Sequence, residues 1–257
     1  MRRRLDAELV EQGLFADRDA AARAVMAGEV STSDRRLEHP GEQVRPGIPL
    51  HVRGRASYVS RGGLKLERGL ERLGCDPAGL ACLDVGCSTG GFTDCLLRHG
   101  AASVTAVDVG YAQFDYALRR DPRVELLERT NVRDLDVPGR HATFDLAVCD
   151  VSFTSAAGLA PCVARLLRGD GAFLVLVKPQ FECARDEVGP GGVVRDARAR
   201  AAAIGRVADA CERSGLAPQA CCPSPITGAK GNHEYLLLAR AGSPARPLDA
   251  LACAEAG

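Results

Sequence analysis

Two residues at the carboxyl ends of predicted strands are of types that carry out acid–base chemistry. Lys178 follows the apolar run at 172–177, and Asp150 ends the predicted strand "FDLAVCD". A lysine at the end of a buried strand is costly unless it is paired or functional, although its ammonium can also extend to solvent. Lys65 in "RGGLKL" and Glu234 in "GNHEYLLL" are further candidates, and each alone could be an ordinary surface charge. Because Asp150 and Lys178 should open onto one crevice, the set indicates a catalytic site.

A glycine-rich loop follows the predicted strand in "CLDVGCSTGGF", residues 82–92. The dinucleotide fingerprint Gly-x-Gly-x-x-Gly is broken at its second glycine, which is Ser88 here. The phosphate loop Gly-x-x-x-x-Gly-Lys-[Ser/Thr] is broken at its lysine, which is Phe92 here. The loop therefore favours a nucleotide that has no phosphates.

A third pattern fits the loop better. Asp84 ends the strand before the turn, and Asp108 ends the next strand, about 20 residues past the first glycine, where a carboxylate can bind ribose hydroxyls. S-adenosylmethionine has a ribose and a positive sulfonium, which neighbouring carboxylates favour. The alternative is that the glycines only make a tight turn. The predicted cofactor-binding residues are Asp84, Gly86, Cys87, Ser88, Gly90, Gly91, Phe92, Asp108, Val109, Asn131, Val132 and Asp150.

The elements around these residues predict an α/β fold. From about residue 64, apolar strands alternate with helices, which indicates a mostly parallel sheet covered on both faces, as in Rossmann-like class I methyltransferases. Such sheets bind ligands beyond the carboxyl ends of their strands. Before them, residues 1–52 predict a small α+β domain with two short helices. We expect a linker at 53–60, the catalytic domain at 61–240 and a disordered tail rich in small residues at 241–257.

Composition narrows the function classes. The apolar runs are too short for a membrane-spanning helix, so we expect a cytoplasmic protein with no membrane partner. The 11 cysteines include no Cys-x-x-Cys pair, so they favour reduced thiols that pack as small hydrophobes over a metal site. The formal net charge of +0 gives no overall sign of nucleic-acid binding.

The sequence resembles the hemolysin A-type ribosomal RNA methyltransferases over about residues 2–240. The stretches that carry the resemblance are "RLDAELVEQGLFADRDAAARAVMAGEV", "YVSRGGLKLERGL", "CLDVGCSTGGFTDCLL", "AVDVGY", "ERTNVRDL", "CDVSF", "LVKPQFE" and "GNHEYLL". These proteins join an RNA-binding domain like that of ribosomal small-subunit protein four to an FtsJ-like domain. The resemblance implies 2′-O-ribose methylation of ribosomal RNA, with cytidine as the expected nucleoside and the ribosomal subunit as partner.

The resemblance also implies a catalytic Lys-Asp-Lys-Glu tetrad, which falls on Lys65, Asp150, Lys178 and Glu234. A ribose hydroxyl is a poor nucleophile at neutral pH. Lys178 could take its proton as a neutral amine, or orient it as a charged ammonium with proton loss late, and the sequence leaves both roles open. Holding the hydroxyl near the methyl carbon supplies much of the rate in either case.

Arginines near the amino terminus are the predicted RNA contacts, because their planar fork matches two phosphate oxygens. They could also be an ordinary solvated surface. The predicted RNA-binding residues are Arg2, Arg3, Arg4, Arg18, Arg23 and Arg61. Three other functions compete with RNA methylation: a non-catalytic RNA-binding protein, a membrane-active hemolysin and a nicotinamide-dependent oxidoreductase. The four candidate catalytic residues argue against a non-catalytic protein. The lack of an apolar span argues against a hemolysin, and Ser88 in the glycine loop argues against an oxidoreductase.

Overall fold

The chain folds as two units in the computed structural model, which describes residues 2–12, 14–15, 17–32, 35–48, 50–53, 58–228 and 230–257. The units are Met1–Ser57 and Tyr58–Gly257. The division falls within the predicted linker at 53–60, of which residues 54–57 lie outside the described part of the chain.

The first unit combines two helices with short paired strands. Its elements are β1 (Arg3–Arg4), α1 (Leu5–Glu11), α2 (Arg18–Met26), β2 (Val30–Ser31), β3 (Gln43–Val44) and β4 (His51–Val52). Strand β1 pairs antiparallel with β3, and β2 pairs antiparallel with β4. Helix α2 begins after Asp17, whose carboxylate caps it by accepting a hydrogen bond from the backbone N–H of Ala20 at 2.7 Å. Leu5, Leu9 and Val25 are buried in the core of this unit.

The second unit is a seven-stranded sheet with helices on both faces. Its strands are β5 (Ala81–Val85), β6 (Ser103–Asp108), β7 (Val124–Glu128), β8 (Phe144–Cys149), β9 (Leu167–Val177), β10 (Leu216–Pro223) and β11 (Tyr235–Ala241). Its helices are α3 (Gly62–Leu73), α4 (Gly91–Arg98), α5 (Tyr116–Arg119), α6 (Ala160–Leu166), α7 (Pro179–Glu182), α8 (Ala197–Arg213) and α9 (Ala250–Glu255).

The strand order is β10-β11-β9-β8-β5-β6-β7. Strands β5 to β9 are parallel, and β11 runs antiparallel to both β9 and β10. The carboxyl ends of the parallel strands therefore meet at one edge together with the start of β11. This is the mostly parallel sheet that the alternating pattern predicts.

The apolar run in β9 shows why the sheet is covered on both faces. Phe173, Val175 and Val177 belong to one core cluster, which includes residues of α6 and α8. The alternate residues Leu174 and Leu176 belong to a second cluster, which includes residues of α3 and α4. Successive strand residues point to opposite faces, so a strand buried on both sides is apolar throughout.

The carboxyl-terminal tail differs from the prediction of disorder at 241–257. Residues 250–255 form helix α9, which begins at Asp249, whose carboxylate accepts from the backbone N–H of Ala252 at 2.9 Å. Cys253 and Ala254 are buried, and the carbonyl oxygen of Ala254 accepts hydrogen bonds from the Arg200 guanidinium and the Tyr235 hydroxyl at 3.1 and 3.2 Å. Small side chains allow the helix to pack closely, so here they indicate contact and not disorder.

Candidate active site

The glycine loop after β5 is tightly enclosed. Gly86 has φ +81°, and a Cβ at this position would lie 2.8 Å from the backbone oxygen of Asp150. A Cβ on Gly91, the first residue of α4, would lie 2.1 Å from the Ser60 hydroxyl oxygen. Side chains at either position would displace the loop or its neighbours, so the glycines set the shape of the strand-to-helix turn.

Two adjoining cavities open beside this loop. One, the Asp108 cavity, has a volume of about 570 Å³, and the other, the Lys178 cavity, has a volume of about 540 Å³. Gly86, Ser88, Asp150, Ser152 and Phe153 line both of them. The two cavities therefore share a wall formed by the glycine loop and the segment that follows β8.

Most predicted cofactor residues line these cavities. The Asp108 cavity is lined by Gly86, Ser88, Asp108, Val109, Asn131, Val132 and Asp150, and the Lys178 cavity by Gly86, Cys87, Ser88, Gly91, Phe92 and Asp150. Asp84 and Gly90 line neither, which differs from the prediction. A Cβ on Gly90 would lie 2.6 Å from the Leu118 side chain, so this glycine allows close packing behind the loop.

Asp84 lies beneath the loop and supports it. Its side chain is fully buried, and one carboxylate oxygen accepts a hydrogen bond from the Thr93 hydroxyl at 2.7 Å. The other oxygen has no hydrogen-bond partner among the described residues. Burial raises the pKa of Asp84 to about 7, with a smaller contribution from the nearby Asp150 carboxylate, while the Thr93 hydrogen bonds oppose the rise.

Asp108 is held at the end of β6 by two backbone amides. Its Oδ2 accepts from the N–H of Ser88 at 2.8 Å, and its Oδ1 accepts from the N–H of Gly110 at 2.6 Å. Each carboxylate oxygen has a second lone pair for another donor. The carboxylate is thus fixed against the glycine loop, on the wall of the Asp108 cavity.

The four predicted catalytic side chains lie together on the wall of the Lys178 cavity as two ion pairs. Lys178 Nζ is 2.5 Å from Asp150 Oδ1, but the angles there are not those of a hydrogen bond, and the ammonium donates instead to Ser152 Oγ at 2.9 Å. Lys65 Nζ donates to Glu234 Oε2 at 2.5 Å. Lys178 is 8% exposed and Glu234 is 4% exposed, so both are buried charges that require a partner.

The sheet topology explains why these residues meet. Asp150 follows β8 and Lys178 follows β9, so both lie at the carboxyl edge of the parallel strands. Glu234 immediately precedes the antiparallel strand β11, and Tyr235 pairs with Val177, so Glu234 lies at the same edge. Lys65 projects from the first turn of α3.

Residues 58–241 match the FtsJ-like methyltransferase family. The 16S/23S rRNA (cytidine-2′-O)-methyltransferase TlyA of Mycobacterium tuberculosis is 43% identical over 241 residues, which are 93% of this chain and 90% of that protein. The chain belongs to the FtsJ-like methyltransferase family. A solved structure of a hemolysin-named protein from Streptococcus thermophilus is 37% identical, with a TM-score of 0.72, and covers 99% of this chain and 94% of its own.

A more distant solved structure shows the fold alone. It is a Listeria monocytogenes protein described as an S-adenosylmethionine-dependent methyltransferase, 16% identical with a TM-score of 0.51, covering 72% of this chain and 100% of its own. The family match and the TlyA relative confirm the predicted enzyme class and the resemblance to the hemolysin A-type methyltransferases, and the solved structures confirm the predicted fold. The likeness of the first unit to ribosomal small-subunit protein four stays a prediction.

Two residues that follow Asp150 line both cavities and are not among the residues that the sequence predicts. Ser152 accepts the Lys178 hydrogen bond. Phe153 has φ +63° and is 92% exposed, and its ring centroid lies 5.4 Å from that of Phe181. A bulky residue in the left-handed region is strained, which is typical of functional segments. The residue types in the stretch "CDVSF" do not predict that the phenylalanine ring faces outward.

Glu182 in α7 was also missed. Its carboxylate accepts from Ser155 Oγ and from the backbone N–H of Ala156, both at 2.6 Å. Burial raises the pKa of Glu182, while these hydrogen bonds oppose the rise. Because α7 follows Lys178, Glu182 ties the Lys178 segment to the segment that carries Asp150.

Three of the predicted RNA-binding arginines of the first unit lie around two buried carboxylates. Arg4 and Arg18 both contact Asp6, at 2.8 and 3.1 Å, and Arg3 contacts Glu8 at 3.0 Å. The Arg4 guanidinium is the main reason that the pKa of Asp6 is lowered to about 2. The described side chains of Arg2 and Arg23 are exposed, and Arg61 lines the Lys178 cavity. Within the described residues, we find no helix long and apolar enough to cross a membrane.

Proposed function

We propose that this protein transfers the methyl group of S-adenosylmethionine to the 2′-hydroxyl of cytidine in ribosomal RNA, within ribosomal subunits in the cytoplasm. The proposal rests on the two ion pairs that line the Lys178 cavity, Lys65–Glu234 and Lys178–Asp150. Asp150 lies on the wall that this cavity shares with the Asp108 cavity. A donor site and an acceptor site that share one wall suit a direct transfer between two bound molecules.

The residues of the Asp108 cavity fit S-adenosylmethionine. The carboxylate of Asp108, fixed by two backbone amides on the cavity wall, would accept hydrogen bonds from ribose hydroxyls. Among the described residues, the charged side chains on this wall are Asp108, Asp150 and Arg133, an acidic balance that suits a cation. When bound, S-adenosylmethionine supplies an electrophilic methyl group on a positive sulfur.

The tetrad would bind and orient the ribose hydroxyl. Lys178 has one hydrogen bond to Ser152 and a close carboxylate in Asp150, which together fix the direction of its amine. As a neutral amine, Lys178 would take the hydroxyl proton while the oxygen attacks the methyl carbon. As an ammonium, it would hold the oxygen, and the proton would pass to water after the attack. In both cases the methyl carbon–sulfur bond would break as the oxygen–carbon bond forms, leaving a neutral sulfur. The Lys65–Glu234 pair lies on the wall of the same cavity. Fixing the nucleophile in this way supplies rate through orientation.

The exposed ring of Phe153 supports a nucleotide as the acceptor. It lines both cavities and is 92% exposed, with Phe181 beside it. An aromatic ring at the entrance of a cavity can stack on a nucleobase taken out of its helix. In the first unit, the arginines around Asp6 and Glu8 would dock RNA phosphates.

The test is to incubate the protein with tritiated S-adenosylmethionine and separate small and large ribosomal subunits that lack the modification. We expect label in ribosomal RNA, at a ribose whose 2′-O-methyl group stops primer extension at low nucleotide concentration. Lys178→Ala should give no label, and Arg213→Gln, in the last turn of α8, is the matched control that should label normally. Label on a base, or no label on either subunit, would show that the proposal is wrong.

A further inference from the structure

The use of lysine in this chain is unusual. Lysine and arginine together number 33, but only three are lysines, namely Lys65, Lys178 and Lys230. All three line the Lys178 cavity, even though only a small part of the chain's described residues line it. Two of them belong to the tetrad. Lys230 has no place in the tetrad, so its presence on this wall requires a separate explanation.

The charged side chains on the cavity wall do not balance the positive charge of Lys230. The Asp150 and Glu234 carboxylates neutralise Lys178 and Lys65. The remaining charged side chains on the described wall are Lys230 and Arg61. Neither makes an ion pair or a side-chain hydrogen bond with any described residue. Beyond the neutral tetrad, the cavity therefore carries two free positive charges.

The loop that carries Lys230 is held against the tetrad. A Cβ on Gly228 would lie 2.4 Å from Glu234 Oε1, so the loop closely approaches the Glu234 carboxylate. Asn232, which is 2% exposed, accepts from the backbone N–H of Val194 at 3.0 Å and donates to the Gly192 oxygen at 2.8 Å. A Cβ on Gly192 would lie 3.9 Å from Lys230 Nζ. The ammonium thus lies above the turn that Asn232 holds.

Arg61 lies on the chain segment that carries Lys65, the other partner of Glu234. It is the N-cap residue of α3, one helical turn before Lys65, while Lys230 lies at the same separation along the chain before Glu234. The contact between Lys65 and Glu234 joins these two segments. Each of the two segments joined by this ion pair therefore carries one unpaired cation on the cavity wall.

We propose that Lys230 and Arg61 bind the phosphodiesters on the two sides of the target ribose. This inference rests on the proposed function. In an RNA chain, the ribose that carries a 2′-hydroxyl lies between two phosphodiesters, so two cations beside a neutral tetrad match the charge of the substrate. The Arg61 guanidinium can bind a phosphate through two donors, and the compact Lys230 ammonium binds as a point charge. The competing ligand of the same chemistry is the carboxylate of the methionine part of S-adenosylmethionine.

The experiment compares Lys230→Gln, Arg61→Gln and the double variant with wild type, using unmodified ribosomal subunits as the RNA probe. Arg213→Gln is the matched control, because this arginine lies on a separate cleft of the same unit. The dissociation constant is measured by filter binding at several KCl concentrations, and S-adenosylmethionine affinity is measured separately by calorimetry. Lys230→Arg tests whether the charge alone is sufficient.

We expect each single variant to reduce the slope of log affinity against log salt by about 0.7 to 0.9, and the double variant by about twice that amount. Affinity for the subunit should fall roughly 10-fold per lost contact at low salt, with S-adenosylmethionine affinity unchanged. The KM for RNA should rise more than kcat falls, and Lys230→Arg should restore most of the slope.

An unchanged slope in Lys230→Gln, or a loss of S-adenosylmethionine affinity while RNA binding is retained, would overturn the inference. The second result would assign the cations to the methionine carboxylate. These outcomes differ from a failure of the proposed function, in which wild type itself places no methyl group on a ribose. If wild type methylates the ribose and the variants keep the wild-type slope, only the phosphate contacts are wrong.

Discussion

Asp84 gives a prediction whose size can be worked out from the structure. Its carboxyl group is fully buried beneath the glycine loop, and burial raises its pKa from 3.8 to about 7. In the unfolded chain the group is exposed and keeps its ordinary pKa. Below pH 4 both states hold the proton, so Asp84 contributes no pH dependence there. Between pH 4 and 7 the unfolded chain releases the proton and the folded protein retains it, so stability falls as pH rises.

The expected loss is large. The difference between the two pKa values corresponds to roughly 4 kcal/mol of unfolding free energy above pH 7. Asp84→Asn keeps the shape but cannot ionise, so its unfolding free energy relative to wild type should rise by up to about this amount between pH 4.5 and pH 8. Thr93→Val removes the hydroxyl hydrogen bond that opposes the shift, so the loss should extend to higher pH.

The assay is urea unfolding of the three proteins at several pH values, with Asp170→Asn as a control at an exposed carboxylate. The difference between Asp84→Asn and wild type is the relevant quantity, because the titrating groups that do not interact with Asp84 cancel in it. If that difference is the same at pH 4.5 and pH 8, Asp84 is ionised in the folded protein, and the reasoning from burial is refuted.

Three further predictions concern the site. Lys178→Ala should reduce single-turnover methyl transfer by roughly a thousandfold, because the hydroxyl loses its partner, while calorimetry should show S-adenosylmethionine affinity within about threefold of wild type; a rate within tenfold of wild type would contradict the assignment. Asp108→Ala should weaken S-adenosylmethionine at least about tenfold, since the ribose hydroxyls lose an acceptor, and an unchanged titration would remove Asp108 from that role. Glu182→Ala leaves two donors without an acceptor and should cost about 1–3 kcal/mol in urea unfolding, with a smaller loss in Glu182→Gln; equal stability of both variants and wild type would show that the contacts contribute nothing.

The sequence predicted the parts of the fold that depend on local patterns. Apolar runs and turn residues located β5, β6, β8 and β9, and residues that directly follow parallel strands had to meet at one edge. Strand β10 was not predicted, because it contains Pro218 and Pro223 and its pairing with β11 shifts register between Pro218 and Ala220. Proline is tolerated there because β10 is an edge strand.

Side-chain direction was the part of the site that the sequence did not determine. Asp84 and Asp108 both stand at strand ends, but only Asp108 faces a cavity, while Asp84 points into the core. The sequence context of the two residues is the same, because both belong to apolar strands. The difference depends on packing behind the loop, where Thr93 of α4 meets Asp84.

The tetrad also depends on contacts far from its four side chains. Asp150 and Lys178 would meet in any sheet that places β8 beside β9 in parallel. Glu234 joins them only because β11 runs the opposite way, so that its start lies at the carboxyl edge.

Lys65 requires a third condition, since it comes from a helix that precedes the whole sheet. Gly69 in α3 provides it: a Cβ there would lie 2.8 Å from a Leu236 side-chain methyl group in β11. The missing side chain lets α3 pack closely on the sheet, one turn after Lys65. The 2.5 Å contact between Lys65 and Glu234 is therefore a consequence of helix-on-sheet packing as much as of charge.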